Sequence, residues 1–189
     1  KGSKQMAVVV DIDDTMLDNS PYQAQAILEN FQYPTKWDEW CMQANAKPMP
    51  GAVEFMQYVQ SKNIDIFYVS NRKAKLNEAT AKNLANLGFP QVEDKHLMLQ
   101  TAELCKENRR KKIQETHDII LLVGDNVNDF FNFTENKGVE ERIRIIDSLQ
   151  NDFGFKYIML PNTTYGDWEG AIYNYDYAQA ESKKDSIRK

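Results

Sequence analysis

Residues 7–17 read Ala7-Val8-Val9-Val10-Asp11-Ile12-Asp13-Asp14-Thr15-Met16-Leu17, and pass in one step from an apolar run to an acidic cluster. Ala7 to Val10 is short, unbroken and mostly β-branched, the pattern of a strand covered on both faces in a parallel sheet. In open α/β sheets ligands bind beyond the carboxyl ends of the strands. A strand that stops at Asp11, Asp13 and Thr15 presents those side chains where a site would form. One further extended residue points the carboxylates of Asp11 and Asp13 into the same mouth. There they raise one another's pKa unless a cation or a shared proton relieves them.

Two later stretches repeat the design. Residues 64–69 predict a second buried strand ending in Ser70-Asn71-Arg72, and residues 119–123 a third ending in Gly124-Asp125-Asn126-Val127-Asn128-Asp129. Shorter strands are expected at 97–100 and 156–160. Helices are expected at 22–31, 37–46, 50–62, 77–87, 102–115 and 139–149, with a short helical turn after Asp129, a loop over 161–170 and a polar tail from Tyr173. Strands alternating with helices predict an α/β fold with a doubly wound, mostly parallel sheet. Residues 1–189 form one domain. The segment 18–50, too long for an ordinary connection, is expected to be a small helical cap over the strand ends.

A chain with 42% hydrophobic and 27% charged residues can build one sizeable core. Its net charge of -5 argues against a nucleic acid polymer as main partner, because phosphate-backbone binding needs a basic face. No apolar run approaches a membrane span. Lys1-Gly2-Ser3-Lys4-Gln5 leads straight into the first strand, so a mature or trimmed product is expected, with any targeting segment upstream. Cys41 and Cys105 both fall in helix-like sequence and read as free, semi-buried thiols.

Asp11, Asp13, Asp125 and Asp129 converge in this reading, and that many carboxylates need a counter-charge. Oxygen donors without His or Cys suit Mg²⁺ better than zinc. His96 and His117 lie away from these clusters in the sequence. A cation also makes a phosphate substrate sensible, since it lets a carboxylate approach a phosphate dianion. Asp11 is then the nucleophile, and Asp13 gives a proton to the leaving alcohol and later takes one from water. Trp37 and Trp40 share a helical face, and Tyr165 lies just past a strand end; large aromatics flanking a mouth can stack the planar part of a nucleotide or aryl phosphate.

DxDxT, then a strand ending in Ser, then Lys, then GDxxxD resembles the haloacid dehalogenase superfamily of aspartyl-phosphate phosphatases. Val9 to Tyr22, Leu122 to Phe130 and Pro161 to Gly170 are together similar to the bacterial class C acid phosphatases, including the outer-membrane lipoprotein acid phosphatases. Asp14 departs from that family, which usually has Glu there. The resemblance implies a Rossmann-like haloacid dehalogenase core and a magnesium-dependent acid phosphatase of 5'-nucleotidase type. It implies Asp11 as nucleophile and metal ligand, Asp13 as acid/base and carbonyl ligand, Asp125 and Asp129 as metal ligands, and Ser70, Asn71 and Lys106 as phosphate-binding residues. It favours Trp37 and Tyr165 for the substrate. It further implies a small-molecule phosphomonoester as partner, a homodimer, and an extracytoplasmic bacterial location at the outer membrane or cell surface, held through a lipid anchor upstream of this chain. Within the charge run 105–112, Arg110, Lys111 and Lys112 are expected on a solvated helix face.

Two other classes share some of these features. A receiver-like phospho-acceptor module also has an acidic metal pocket, a hydroxyl and a lysine, but needs neither Asp13 as an acid nor a cap. A surface nucleotide- or cofactor-binding protein would use the aromatic cleft without hydrolysis. No CX5R loop follows Cys41 or Cys105, and neither histidine stands in an RHGxR context, which removes other phosphatase chemistries.

Overall fold

In a computed structural model, which describes residues 4–102 and 105–188, the strands are β1 (Gln5–Val10), β2 (Leu17–Asp18), β3 (Lys47–Pro48), β4 (Asp65–Lys73), β5 (Leu97–Gln100), β6 (His117–Gly124) and β7 (Tyr157–Met159). The helices are α1 (Ser20–Glu29), α2 (Trp37–Met42), α3 (Ala52–Ser61), α4 (Asn77–Asn86), α5 (Glu107–Thr116), α6 (Val139–Ser148), α7 (Asp167–Ile172) and α8 (Glu181–Arg188). Five strands form one sheet in the order β5-β4-β1-β6-β7, with every pairing parallel. β1 is its centre. The apolar run at Ala7 to Val10 is buried because both of its faces are covered.

The two faces follow from the period of two along a strand. Val8 and Val10 join Ile66, Tyr68 and Leu97 beneath Met56 and Val59 of α3 and Leu84 of α4. Ala7 and Val9 join Phe67, Val69 and Leu122 beneath Ile113 of α5, with Ile145 and Ile146 of α6 packed against them. Because every pairing is parallel, all five strands end at one edge. That edge carries Asp11, Ser70 and Asp125.

Residues between β1 and α3 depart from a simple crossover. β2 and β3 pair antiparallel, Leu17 opposite Pro48 and Asp18 opposite Lys47, and so close the base of a segment that contains α1 and α2. Pro21 lies in the first turn of α1, where a missing N–H costs nothing. Polar contacts help moor the segment to the body of the fold. Buried Asn83 donates to the carbonyl of Ala46 at 2.9 Å and accepts from its N–H at 3.1 Å, and Lys75 pairs with Asp38 of α2.

Several boundaries differ from the sequence reading. The helix expected over 37–46 ends at Met42, because Ala44 takes a left-handed conformation at φ +51°. The helix expected over 102–115 is α5, beginning at Glu107; residues 103–104 of that expectation lie outside the described residues. The helical turn is at Val127–Asp129 rather than after Asp129. The loop expected over 161–170 gives way at Asp167 to α7, whose first turn holds Asp167 and Glu169, favourable at a helix N-terminus. No helix among the described residues is long and apolar enough to cross a membrane.

Candidate active site

β1 ends in Asp11, whose N–H donates to the carbonyl of Val123 at 2.9 Å, so the ladder to β6 continues through the acidic residue itself. The chain then folds tightly: the N–H groups of Met16 and Leu17 both return to the carbonyl of Ile12, at 2.9 and 2.8 Å. That turn sets Asp13 beside the mouth of the sheet and Asp14 at φ +52°. β6 delivers Asp125. The turn after it delivers Asp129, where the Asn126 N–H donates to Asp129 Oδ2 at 2.9 Å and Asn126 Oδ1 accepts from Asn128 N–H. Gly124 is required at its position, since a Cβ there would overlap the Asp129 carboxylate.

Carboxylate oxygens of Asp11, Asp125 and Asp129 lie within 4.8 Å of one another, and all three residues are buried. Among the described residues one cation enters the group: Lys106, itself buried, pairs with Asp11 and donates to Asp129 Oδ1 at 2.6 Å. Three carboxylates against one ammonium leave a net charge of minus two. Burial pushes the Asp11 carboxyl well above its usual range against the pull of Lys106, with Asp129 and Asp125 adding to the rise. Burial and then Asp129 push Asp125 up to about 7. Burial would lower the Lys106 ammonium, but Asp11 and Asp129 overcome it and hold its pKa above the ordinary lysine value. Buried, oxygen-only and two charges short, the group fits a divalent cation. Asn162 donates to Asp125 Oδ2 at 2.7 Å, and Thr15 to its Oδ1 at 3.4 Å.

Asp13 sits next to this cluster with a separate set of partners. Its Oδ1 accepts from Arg72 Nε at 3.0 Å and Asn19 Nδ2 at 2.8 Å, and Arg72 Nη2 lies 2.9 Å from it. Its Oδ2 accepts from the Ser70 hydroxyl at 3.2 Å. Ser70 is fully buried in β4, which runs on to Lys73 rather than ending before Ser70 and whose register with β5 shifts between Val69 and Lys73, while the exposed Asn71 accepts from Arg109 at 2.6 Å through its side chain. Arg109 also donates to the Ser70 carbonyl at 2.5 Å, bracing the strand end that carries both residues.

The two aromatic candidates differ in setting. Trp37 is half-buried among Tyr22 and Tyr33, with ring centroids at 5.0 and 5.9 Å, and has the Arg72 guanidinium 5.8 Å from its ring. The Tyr165 hydroxyl donates to Asp14, and burial, with Asp13 and Asp14 beside it, pushes its pKa far up. Trp40 donates to Asn19 at 2.8 Å and packs against the core.

Three residues of the site receive no site role in the sequence reading, although Arg72 stands in the polar cluster that ends the second strand. Arg72 and Arg109 are buried beneath it. Arg110, expected on a solvated face, is 4% exposed. It donates to the carbonyls of Asp129 and Asn128 at 2.8 and 3.2 Å and pairs with Glu107, because α5 turns that side of its charge run toward the Asp129 turn. Lys111 and Lys112 are exposed as expected. His117 pairs with Asp65 at the start of β4 and His96 stacks on Phe67, so neither partners Asp11, Asp125 or Asp129. Cys41 and Cys105 are free thiols.

Comparison with known proteins accords with this geometry. The family model of the HAD superfamily, subfamily IIIB (acid phosphatase) matches residues 1–168. The class C acid phosphatase from Bacillus anthracis is 44% identical over 99% of this chain and 79% of its own, with a TM-score of 0.94. A tungstate-bound structure of the Bacillus anthracis class C enzyme matches at 43% identity and a TM-score of 0.94 over the same shares. A Pnkp1/Rnl/Hen1 complex matches at 13% identity and a TM-score of 0.54, over 88% of this chain and 48% of its own, and shares the fold alone. The protein is thus a phosphomonoester hydrolase whose chain belongs to the HAD superfamily, subfamily IIIB acid phosphatases.

Proposed function

We propose that the protein is a magnesium-dependent acid phosphatase that hydrolyses nucleoside or other aromatic monophosphates through a phospho-aspartyl intermediate on Asp11. The observation that supports this best is the meeting of Asp11, Asp125, Asp129 and Lys106 at one sheet edge with Asp13 beside them. Asp11 and Asp125 would hold the cation, with Asp129 as a direct or water-mediated ligand and the Asp13 carbonyl completing the protein's share. Bound there, Mg²⁺ supplies the positive charge that lets a carboxylate meet a phosphate dianion. Lys106, Ser70 and Asn71 take the phosphate oxygens. The Bacillus anthracis relative has been crystallised with tungstate, an oxyanion shaped like phosphate, which supports an oxyanion as ligand.

Chemistry then runs in two halves. An Asp11 carboxylate oxygen bonds to phosphorus as the bond from phosphorus to the leaving oxygen breaks, and Asp13 gives that oxygen its proton. Water next attacks phosphorus and surrenders a proton to Asp13, releasing inorganic phosphate and restoring Asp11. Residues 18–50 serve as a cap over the mouth, and Trp37 and Tyr165 stack the planar part of the leaving group. Homodimer formation and an extracytoplasmic site held by an upstream lipid anchor rest on the resemblance to class C enzymes.

Steady turnover of p-nitrophenyl phosphate with Mg²⁺, abolished by EDTA and restored by adding the ion back, is the expected result. A single phosphorylation event without turnover would instead select a receiver-like module, and nucleotide binding without phosphate release a binding protein.

A further inference from the structure

Both indoles of α2 reach Asp13 through one intermediary each. Trp37 lies against the guanidinium of Arg72, which pairs with Asp13; Trp40 donates to Asn19 Oδ1 at 2.8 Å, and Asn19 Nδ2 donates to Asp13 at 2.8 Å. Arg72 and Asn19 are buried. Arg72 Nε and Asn19 Nδ2 both donate to one oxygen, Oδ1, while among the described residues Oδ2 meets the Ser70 hydroxyl. Arg72 is itself held in register by donating to the Thr80 hydroxyl at 3.2 Å.

Resting on the reading of Asp13 as the leaving-group acid, we infer that Arg72, with Asn19, is a positioning residue that fixes Oδ2 as the oxygen carrying the transferred proton. An oxygen already facing two N–H donors and a guanidinium nitrogen has no room for a hydrogen of its own, so the neutral acid must be protonated at the other. When that proton passes to the leaving oxygen, the P–O bond electrons go to that oxygen, and Asp13 becomes a carboxylate. The guanidinium is already in place beside it. Recapture of a proton from the attacking water returns the hydrogen to Oδ2 and the first state is restored. Because α2 lies in the same segment as the proposed leaving-group platform, Trp37, the fit of the leaving group and the aim of the acid depend on one helix.

The test uses two substrates. p-Nitrophenolate leaves readily without a proton, whereas the alkoxide of a nucleoside 5'-monophosphate needs one. In Arg72→Met and Arg72→Lys, kcat/KM, which reports the half-reaction that releases the leaving group and not the later attack of water, should fall about 100-fold for the nucleotide, within the range of one lost acid, and less than about tenfold for p-nitrophenyl phosphate. Lysine keeps the buried charge but not the fork, so it should not rescue the nucleotide rate. If Arg72→Met does not fold, Arg72→Lys carries the test. Equal losses on both substrates, or none, would overturn the inference. Asp13→Asn is the reference: it should discriminate between the substrates at least as strongly. Failure of Asp13→Asn to discriminate would overturn the acid role of Asp13, and discrimination by Asp13→Asn alone would overturn only the role of Arg72.

Discussion

Asn162 donates to Oδ2 of Asp125 at 2.7 Å, tying the loop after β7 to the carboxylate that closes β6. Asp125 reaches the carboxylate cluster in a fixed orientation because this amide holds one oxygen and Thr15 touches the other. Partners behind metal-binding carboxylates commonly tune affinity. Asn162→Ala should weaken Mg²⁺ activation about 10-fold or more with the melting temperature little changed, measured as the Mg²⁺ concentration for half-maximal turnover.

The cluster's charge makes stability without a cation depend on pH in one direction. Asp11 is raised well above 3.8 and Asp125 up to about 7, so the folded state retains protons that the unfolded chain has released. Proton binding by the folded state lowers stability as pH rises, from near 4 through about 7. In EDTA the melting temperature should therefore fall between pH 5 and pH 8 on account of these groups. Mg²⁺ competes with the same protons, so its stabilising shift should be larger at pH 8 than at pH 5. Thermal scans with and without Mg²⁺ at both pH values check this, and a larger shift at pH 5 would count against a carboxylate metal site.

Arg110 and Lys112 lie two residues apart on α5 and should behave differently. Arg110 caps two carbonyls of the Asp129 turn from a buried position, and its removal strands them. Arg110→Ala should cost about 1–3 kcal/mol in urea unfolding and also weaken Mg²⁺ activation. Lys112→Ala should change neither. Equal costs would return Arg110 to the solvated face.

These arginines mark where the sequence stops being informative. β1, β4 and β6 were legible because unbroken apolar runs ending in Asp, Ser and Gly-Asp have few other readings in an alternating α/β chain. The acidic cluster followed from their shared polarity. Arg110 reads as surface, and Arg72 and Arg109 give no sign of burial, since burying an arginine needs partners from distant segments that no local pattern reveals. β2 and β3, two residues each, are too short to show a period of two. The end of α2 depends on the left-handed turn at Ala44, a conformation its residue type does not announce.

Trp37 and Tyr165 separate ring from hydroxyl. Trp37→Ala and Tyr165→Ala should each raise KM for a nucleoside monophosphate well above any change for a small alkyl phosphate, by an amount near 1–3 kcal/mol of lost stacking at most. Tyr165→Phe keeps the ring but loses the bond to the Asp14 carboxylate, whose other oxygen still accepts from the Asn19 N–H. It should retain most nucleotide affinity. Equal KM changes for nucleotide and alkyl substrates in the alanine variants would make these rings structural.

The most direct measurement is turnover by Asp11→Asn with Mg²⁺ at saturating substrate, beside a thermal scan. The amide keeps the shape of the side chain but cannot form the acyl phosphate, so a folded protein with no phosphate release is expected. A folded Asp11→Asn protein that releases phosphate at the parent rate would contradict the account.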